Sequence, residues 1–222
     1  MKINNRLRMI GDLVETNSFC FDVGCDHALL DIYLVKQNRN IKCIGSDIAK
    51  GPLEQAKNNI KKEHLEGQIE LRLGFGFKTY SDEIDTIIIS GMGGRTIIGI
   101  CKDDPKVLKK VNTLIISPNN YQEDVKRYLC RNGFMIENEV FAKDNNFIYQ
   151  IIVFKKGKKK YSKEEYFFGP IFLEKKDSLF SEYYNKELKS REIILSLLPK
   201  NFHLKRRQIK NEIKMIKKEL ED

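Results

Sequence analysis

Residues 134–154 read FMIENEVFAKDNNFIYQIIVF. Two apolar runs of strand character, Phe134 to Phe141 and Phe147 to Phe154, stand on either side of KDNN at residues 143–146. A connection that short joins antiparallel neighbours as a hairpin, because a parallel crossover needs about a dozen residues or more. Upstream the grammar differs. Phe19 to Val23, Lys42 to Asp47, Ile69 to Leu73, Thr86 to Ser90 and Thr113 to Ser117 are short apolar runs spaced by helical stretches, the mark of successive βα units. The helices expected between them are Leu29 to Lys36, Pro52 to Lys62 with its proline in the first turn, and the segment after Gly93-Gly94. A further one spans about Gln122 to Asn132 and is closed by Gly133. A short amphipathic helix built on Leu7, Met9, Ile10, Leu13 and Val14 comes first. The expectation is a seven-stranded, mostly parallel α/β sheet with an antiparallel edge hairpin.

Five parallel strands ending in a hairpin is the Rossmann-like order of class I methyltransferases, whereas a dinucleotide dehydrogenase continues with another βα unit. Beyond the hairpin, KKGKKKYSKEE at residues 155–165 reads as a solvated linker. Two helical segments follow, hinged near Leu198-Pro199-Lys200. Phe180, Tyr184, Leu188, Leu195 and Leu198 mark one apolar face and Ile209, Ile213, Ile216 and Leu220 another, as an antiparallel coiled-coil hairpin requires. The expected division is a catalytic domain over 1–155 and a basic helical domain over 156–222, with an internally paired hairpin favouring a monomer.

Charge follows the same division. The net charge is +9, and residues 155–222 carry 19 Lys and Arg against 11 Asp and Glu, so eight of the nine net charges lie there. Such a surplus favours a polyanionic partner through counterion release, and its competing reading is a solubilising helix surface. No apolar run reaches the roughly 18 residues of a membrane span, and the first residues lack the apolar centre of a signal peptide, so a cytoplasmic protein is expected. Cys20, Cys25, Cys43, Cys101 and Cys130 form no CxxC pair, and His27, His64 and His203 stand apart from one another, so neither disulfides nor a metal is expected.

Chemistry concentrates where strands end. FDVGCDHALL at residues 21–30 places Asp22, Gly24 and Asp26 at the turn from the first strand into a helix, where α/β sheets bind ligands. A glycine there admits close approach of a ligand to the backbone, and a carboxylate can pair with a cationic amine or sulfonium. From Gly24 the chain reads GCDHAL rather than GxGxxG, so a pyrophosphate cradle is not expected. Asp47, 25 residues after Asp22, closes the second strand. It suits ribose hydroxyls, with a helix cap before the KGP turn as the alternative. SGMGGRT at residues 90–96 has three glycines in four positions, which implies close packing. SPNN at residues 117–120 has the form of the loop that amino-group methyltransferases place over a base, where Asn119 can accept from an exocyclic amine; an ordinary turn is the alternative.

With DVGCDHALL, KGP at residues 50–52, EIDTIIISGMGG, LIISPNN, NNFIYQIIVF and YSKEEYFFGP in order, the chain resembles the bacterial tRNA (adenine(22)-N1)-methyltransferases over nearly its whole length. The resemblance implies transfer of a methyl group from S-adenosylmethionine to N1 of an adenine in tRNA. It implies that Asp22, Gly24, Asp47 with Ile48, and the Gly91-Met92-Gly93-Gly94 turn surround the cofactor, and that Asp26, His27 and Asn119 face the base. His27 is read either as orienting Asp26 or as capping backbone. Where the family favours GDG or GNG after the third strand, this chain has Gly74-Phe75-Gly76, so a polar contact to the cofactor's adenine is replaced by an aromatic. The competing functions are a small-molecule methyltransferase and a noncatalytic RNA-binding protein with a degenerate cofactor pocket.

Overall fold

The computed structural model describes residues 3–37 and 39–221. The chain divides into two compact units, one ending at Tyr161 and the other beginning at Ser162.

The first unit is built on strands β1 (Phe19–Val23), β2 (Lys42–Asp47), β3 (Ile69–Leu73), β4 (Thr86–Ser90), β5 (Thr113–Ser117), β6 (Phe134–Asp144) and β7 (Phe147–Lys156). They form one sheet in the order β3-β2-β1-β4-β5-β7-β6, parallel except for β7, which runs antiparallel to both β5 and β6. TIIIS of β4 and TLIIS of β5 are apolar without alternation because helices cover both faces of a parallel sheet, and their isoleucines are fully buried. The hairpin is tighter than KDNN suggested. Lys143 and Asp144 pair with Ile148 and Phe147, and only Asn145 and Asn146 turn, Asn145 in the left-handed region that asparagine tolerates.

Among the described residues, the α-helices of this unit are α1 (Asn5–Asp12), α2 (Leu29–Lys36), α3 (Lys50–Lys62), α4 (Gly94–Asp103), α5 (Pro105–Lys110) and α6 (Gln122–Arg131), with a short 3-10 turn at Gly76–Thr79. The unexpected α5 starts at a proline, whose fixed φ suits a first turn, and it buries Val107 and Leu108. Lys126 of α6 and Glu139 of β6 meet at 3.2 Å with neither side chain exposed. After β1 the chain goes outward to β2 and then β3, and it returns to β4 on the other side of β1. This switch opens a crevice at the carboxyl ends of β1 and β4.

In the second unit, α7 (Lys163–Phe168), α8 (Pro170–Lys175), α9 (Ser178–Leu197) and α10 (His203–Glu221) follow in order. The charge run at 155–165 is therefore not all linker. Its first two residues finish β7, and its SKEE starts α7 through a capping box, in which Ser162 Oγ accepts from Glu165 N at 3.0 Å and Glu165 accepts from Ser162 N at 2.6 Å. Phe168 of α7 is fully buried against Phe180 and Tyr184 of α9, and the Tyr184 hydroxyl donates to the Phe168 carbonyl at 3.0 Å. α9 and α10 make an antiparallel hairpin. Arg191 meets Glu212 at 2.8 Å, and Arg206 donates to the carbonyls of Leu195 and Leu198 that end α9. Ile209 and Ile216 are buried, while Ile213, Leu188 and Leu195 are half-buried.

Candidate functional site

The loop leaving β1 is held in an unusual conformation. Gly24, Asp26 and Ala28 all adopt positive φ, at 80°, 52° and 55°, and two of the three carry a Cβ that makes this costly. The surroundings hold it there. Gly24 N and Cys25 N both donate to the Ser46 carbonyl at 2.8 and 2.9 Å, Ala28 N to the Cys25 carbonyl at 2.9 Å, and Asp26 N to Asp47 Oδ2 at 3.3 Å. These N–H groups are spent inside the protein and three carboxylates stand nearby, so the turn is unsuited to a phosphate and suited to a cation.

Asp47 does not cap α3, whose N-cap is Ala49 without a side-chain cap hydrogen bond; it closes a tight turn ahead of that helix. Its Oδ1 accepts from Ala49 N at 2.9 Å, ahead of α3, and its Oδ2 ties the β1 loop to the β2 end. Each oxygen keeps a second lone pair for a ligand hydroxyl. His27 Nε2 lies 3.5 Å from Asp26 Oδ1, its Nδ1 is buried without a partner, and its carbonyl accepts from Asn59 Nδ2 at 3.0 Å.

The close packing expected at SGMGG is the approach of SPNN. A Cβ on Gly94 would lie 2.5 Å from the Asn120 carbonyl oxygen, and Gly94 N donates to Asn120 Oδ1 at 3.1 Å. Asn119 N donates to the Met92 carbonyl at 2.9 Å and Asn119 Nδ2 to the Gly91 carbonyl at 2.6 Å. That fixes the amide so that its Oδ1 remains an available acceptor. Tyr121, at φ 54°, ends the loop with the Arg95 guanidinium 4.4 Å from its ring centroid.

Two adjoining cavities occupy the crevice. One of about 430 Å³ has Asp22, Cys25, Asp26, His27, Ser90 and Gly91 in its wall, with Arg6 and Leu7 of α1 opposite. The other, about 240 Å³, is lined by Ile48, Gly74, Phe75, Gly76, Thr96 and Ile100. Gly24, Asp47 and Met92 belong to both. Gly93 and Asn119 line neither: Gly93 precedes α4, and Asn119 is attached to the first cavity through Gly91. Arg6, Thr96 and Ile100 went unrecognised in the sequence. Arg6 there is one cation among several on an amphipathic helix; in three dimensions its side chain stacks 4.5 Å from the Tyr149 ring centroid and its Nη2 lies 3.3 Å from where a Gly91 Cβ would be.

Electrostatically the first cavity is acidic at its floor. Burial first, then the charges of Asp31 and Asp47, push the Asp22 carboxyl well above the usual carboxylate range. Burial, followed by the same group of acids, likewise raises the Cys25 thiol, which excludes it as a thiolate nucleophile. An acid-lined polar chamber joined to an apolar one fits a ligand with a cationic amino-acid end, a ribose and an aromatic base. Among the described residues no group of three or more His, Cys, Asp or Glu side chains is placed to hold a metal, and no helix is long and apolar enough to cross a membrane.

Comparison with known proteins agrees with this chemistry. The family model described as tRNA (adenine(22)-N(1))-methyltransferase matches residues 20–218. The Bacillus subtilis tRNA (adenine(22)-N(1))-methyltransferase is 26% identical over 195 residues, which cover 85% of this chain and 82% of the relative. Among solved structures, Sp1610 of Streptococcus pneumoniae in complex with S-adenosyl-L-methionine superposes with a TM-score of 0.90 at 30% identity, covering 99% of this chain and 100% of that one. TrmK of M. capricolum with S-adenosyl-homocysteine gives 0.86 at 29%, covering 100% and 99%.

Proposed function

This chain belongs to the tRNA (adenine(22)-N(1))-methyltransferase family, and from that premise we propose how its own residues divide the work of methylating N1 of adenine 22 in tRNA. S-adenosylmethionine is the cofactor, and it supplies an electrophilic methyl group on a sulfonium. Asp22 is the partner for the cationic methionine end, and Arg6 for the carboxylate of that same end. Asp47 takes the ribose hydroxyls with the lone pairs that Ala49 and Asp26 leave free. Ile48 and Phe75 cover the adenine, so stacking replaces the polar contact that a GDG or GNG turn would offer.

The accepting nitrogen of a neutral adenine already carries a lone pair. The protein's task is alignment and exclusion of water rather than proton abstraction. Asn119 Oδ1 accepts from the exocyclic amine and sets N1 in line with the methyl group. Asp26, steadied by His27, offsets the positive charge that the base acquires. The target adenine must leave its place in the folded tRNA to reach this rim. The basic second unit holds the tRNA backbone, and the protein works in the cytoplasm as a monomer without a metal.

The observation that carries this reading is the tether from Asn119 Nδ2 to the carbonyl of Gly91, a residue in the wall of the acid-lined cavity, which leaves the Asn119 amide oxygen as an acceptor. The test is transfer from labelled S-adenosylmethionine to unmodified tRNA, with the product nucleoside and its position identified by mass spectrometry. N1-methyladenosine at position 22 is expected. Cofactor binding without transfer to any tRNA would overturn the assignment.

A further inference from the structure

Behind Asp22 lies a second carboxyl that the proposed chemistry does not use. Asp31 of α2 is fully buried, and neither carboxylate oxygen accepts a hydrogen bond from another residue; only its own backbone N–H lies close enough to favour the charged form. Its placement follows from the sheet. Asp22 of β1 is the register partner of Gly45 of β2, so both positions face the same side. A Cβ on Gly45 would lie 2.9 Å from Cys25 Sγ and 3.2 Å from Asp31 Oδ2. The side chain that Gly45 lacks thus leaves the space in which Asp31 and Cys25 meet beside Asp22.

The groups facing this space are acidic or neutral. β1 contributes Asp22 and Cys20, the loop Cys25, and β2 Cys43 and, at its end, Asp47. α3 and β3 bury the apolar Leu53, Ala56, Ile60 and Ile69, and α1 buries Ile10 and Gly11, with its Arg6 on the wall of the outer cavity. A buried carboxylate with no donor from another residue is costly, and two side by side repel each other, so such a pair retains a proton until a cation arrives.

We propose that Asp31 is a positioning residue that selects the cofactor by charge: the Asp22–Asp31 pair holds a proton while the site is empty and gives it to solvent when the cationic methionine end of S-adenosylmethionine settles beside Asp22. This assignment rests on the cofactor reading given above. One proton leaves as the cofactor's cation enters, so charge in the floor of the site is conserved. S-adenosylhomocysteine keeps the amine but lacks the sulfonium charge, so it draws the proton out less completely, and the partial return of that proton as methyl transfer ends favours departure of the spent cofactor. Burial raises both carboxyls, Asp31 to about 7 and Asp22 well above the usual carboxylate range, so the empty pair retains a proton at neutral pH.

The test is calorimetric titration of the whole protein with S-adenosylmethionine in two buffers of different ionisation enthalpy, at about pH 6.5, where the cofactor's own amine is already protonated. The expected result is a buffer-dependent heat corresponding to release of close to one proton, smaller for S-adenosylhomocysteine. S-adenosylmethionine affinity should also fall up to about tenfold per pH unit below neutrality. Asp31→Asn should bind with a buffer-independent heat and a flat pH profile. Equal heats in both buffers with the natural protein overturn the proposal, and that comparison needs no variant. Release that survives in Asp31→Asn also overturns it, because the proton then comes from elsewhere, such as His27. Absence of S-adenosylmethionine binding, both by calorimetry and by equilibrium dialysis with the labelled cofactor, sinks the cofactor reading itself, a result distinguishable from binding without proton release.

Discussion

Single residues do opposite things at the two ends of the crevice. At the β4–β5 end, Asn119 is rigid because its N–H groups are spent on the Met92 and Gly91 carbonyls. Asn119→Ala should therefore lower kcat by about a hundredfold, as loss of one preorganised polar contact does, and leave the Kd for S-adenosylmethionine within a factor of about two; a comparable loss of cofactor binding would place Asn119 in the cofactor site instead. At the β1 end, ionisation of the buried Asp31 is destabilising. Its folded-state carboxyl is raised to about 7 by burial, and the unfolded chain loses that proton near 4. Between those values the folded state holds the proton and the unfolded state does not, so the stability of the empty protein falls as pH rises through that window, by at most about 1.4 kcal/mol per pH unit for this group. Urea midpoints from pH 5 to pH 8 should show the decline and Asp31→Asn should flatten it; an unchanged slope in the variant would assign the decline to other acids. Neither property was readable in the chain, where Asp31 is one carboxylate in a helix and the contacts of Asn119 lie 27 and 28 positions away.

At the scale of elements, local pattern and tertiary contact can be told apart. The seven strands follow from apolar runs broken by glycine, proline and helical spacing. The extension of β6 and β7 through Lys143 and Asp144 to a two-residue turn does not, because cross-strand pairing with Ile148 and Phe147 outweighs the turn preference of KDNN. α7 was encoded in the Ser162-to-Glu165 capping box, but a lysine-rich surrounding hid it. The Lys126–Glu139 pair joins α6 to β6 with both groups fully buried. Lys126→Ala should lower the unfolding free energy by about 3–5 kcal/mol, because it leaves a buried glutamate unbalanced, while Lys126→Met with Glu139→Leu should regain most of it. Denaturant midpoints measure both, and a single variant as stable as the double would mean that the two charges are not coupled.

For the whole molecule, charge is the property that chain order misrepresents. Residues 155–222 hold a surplus of eight, but five of the lysines involved lie at 155–160, at the end of β7 and just after it. Residues 162–222 carry 14 Lys and Arg against 11 acids, and pairs such as Lys176–Glu219, Lys186–Glu182 and Lys217–Glu192 offset much of that. What stands out is the turn of the helical hairpin. Between Glu192 and Glu212 there is no acidic residue, and Lys200, Lys205, Arg206, Arg207 and Lys210 cluster with exposed Leu197, Phe202 and Leu204. If this tip holds the tRNA backbone, replacing Lys205, Arg207 and Lys210 by alanine should weaken tRNA binding and reduce the slope of log affinity against log salt by about two to three. Cofactor affinity should not change. An unaltered salt slope would move the contact to Lys155–Lys160.

The sequence alone determined the parallel sheet with its antiparallel edge and the strand-end positions of Asp22, Asp47 and SPNN, because strand periodicity and turn chemistry act over a few residues; the family was legible only through the resemblance of its ordered motifs. Only the tertiary structure decided that Arg6 reaches the crevice, that SPNN is the segment packed on SGMGG, and that Asp31 lies with Cys25 beside Asp22 over the bare backbone of Gly45. Those are contacts across the sheet and between layers. Their energies depend on burial and on distances through space, and neither has any counterpart in spacing along the chain.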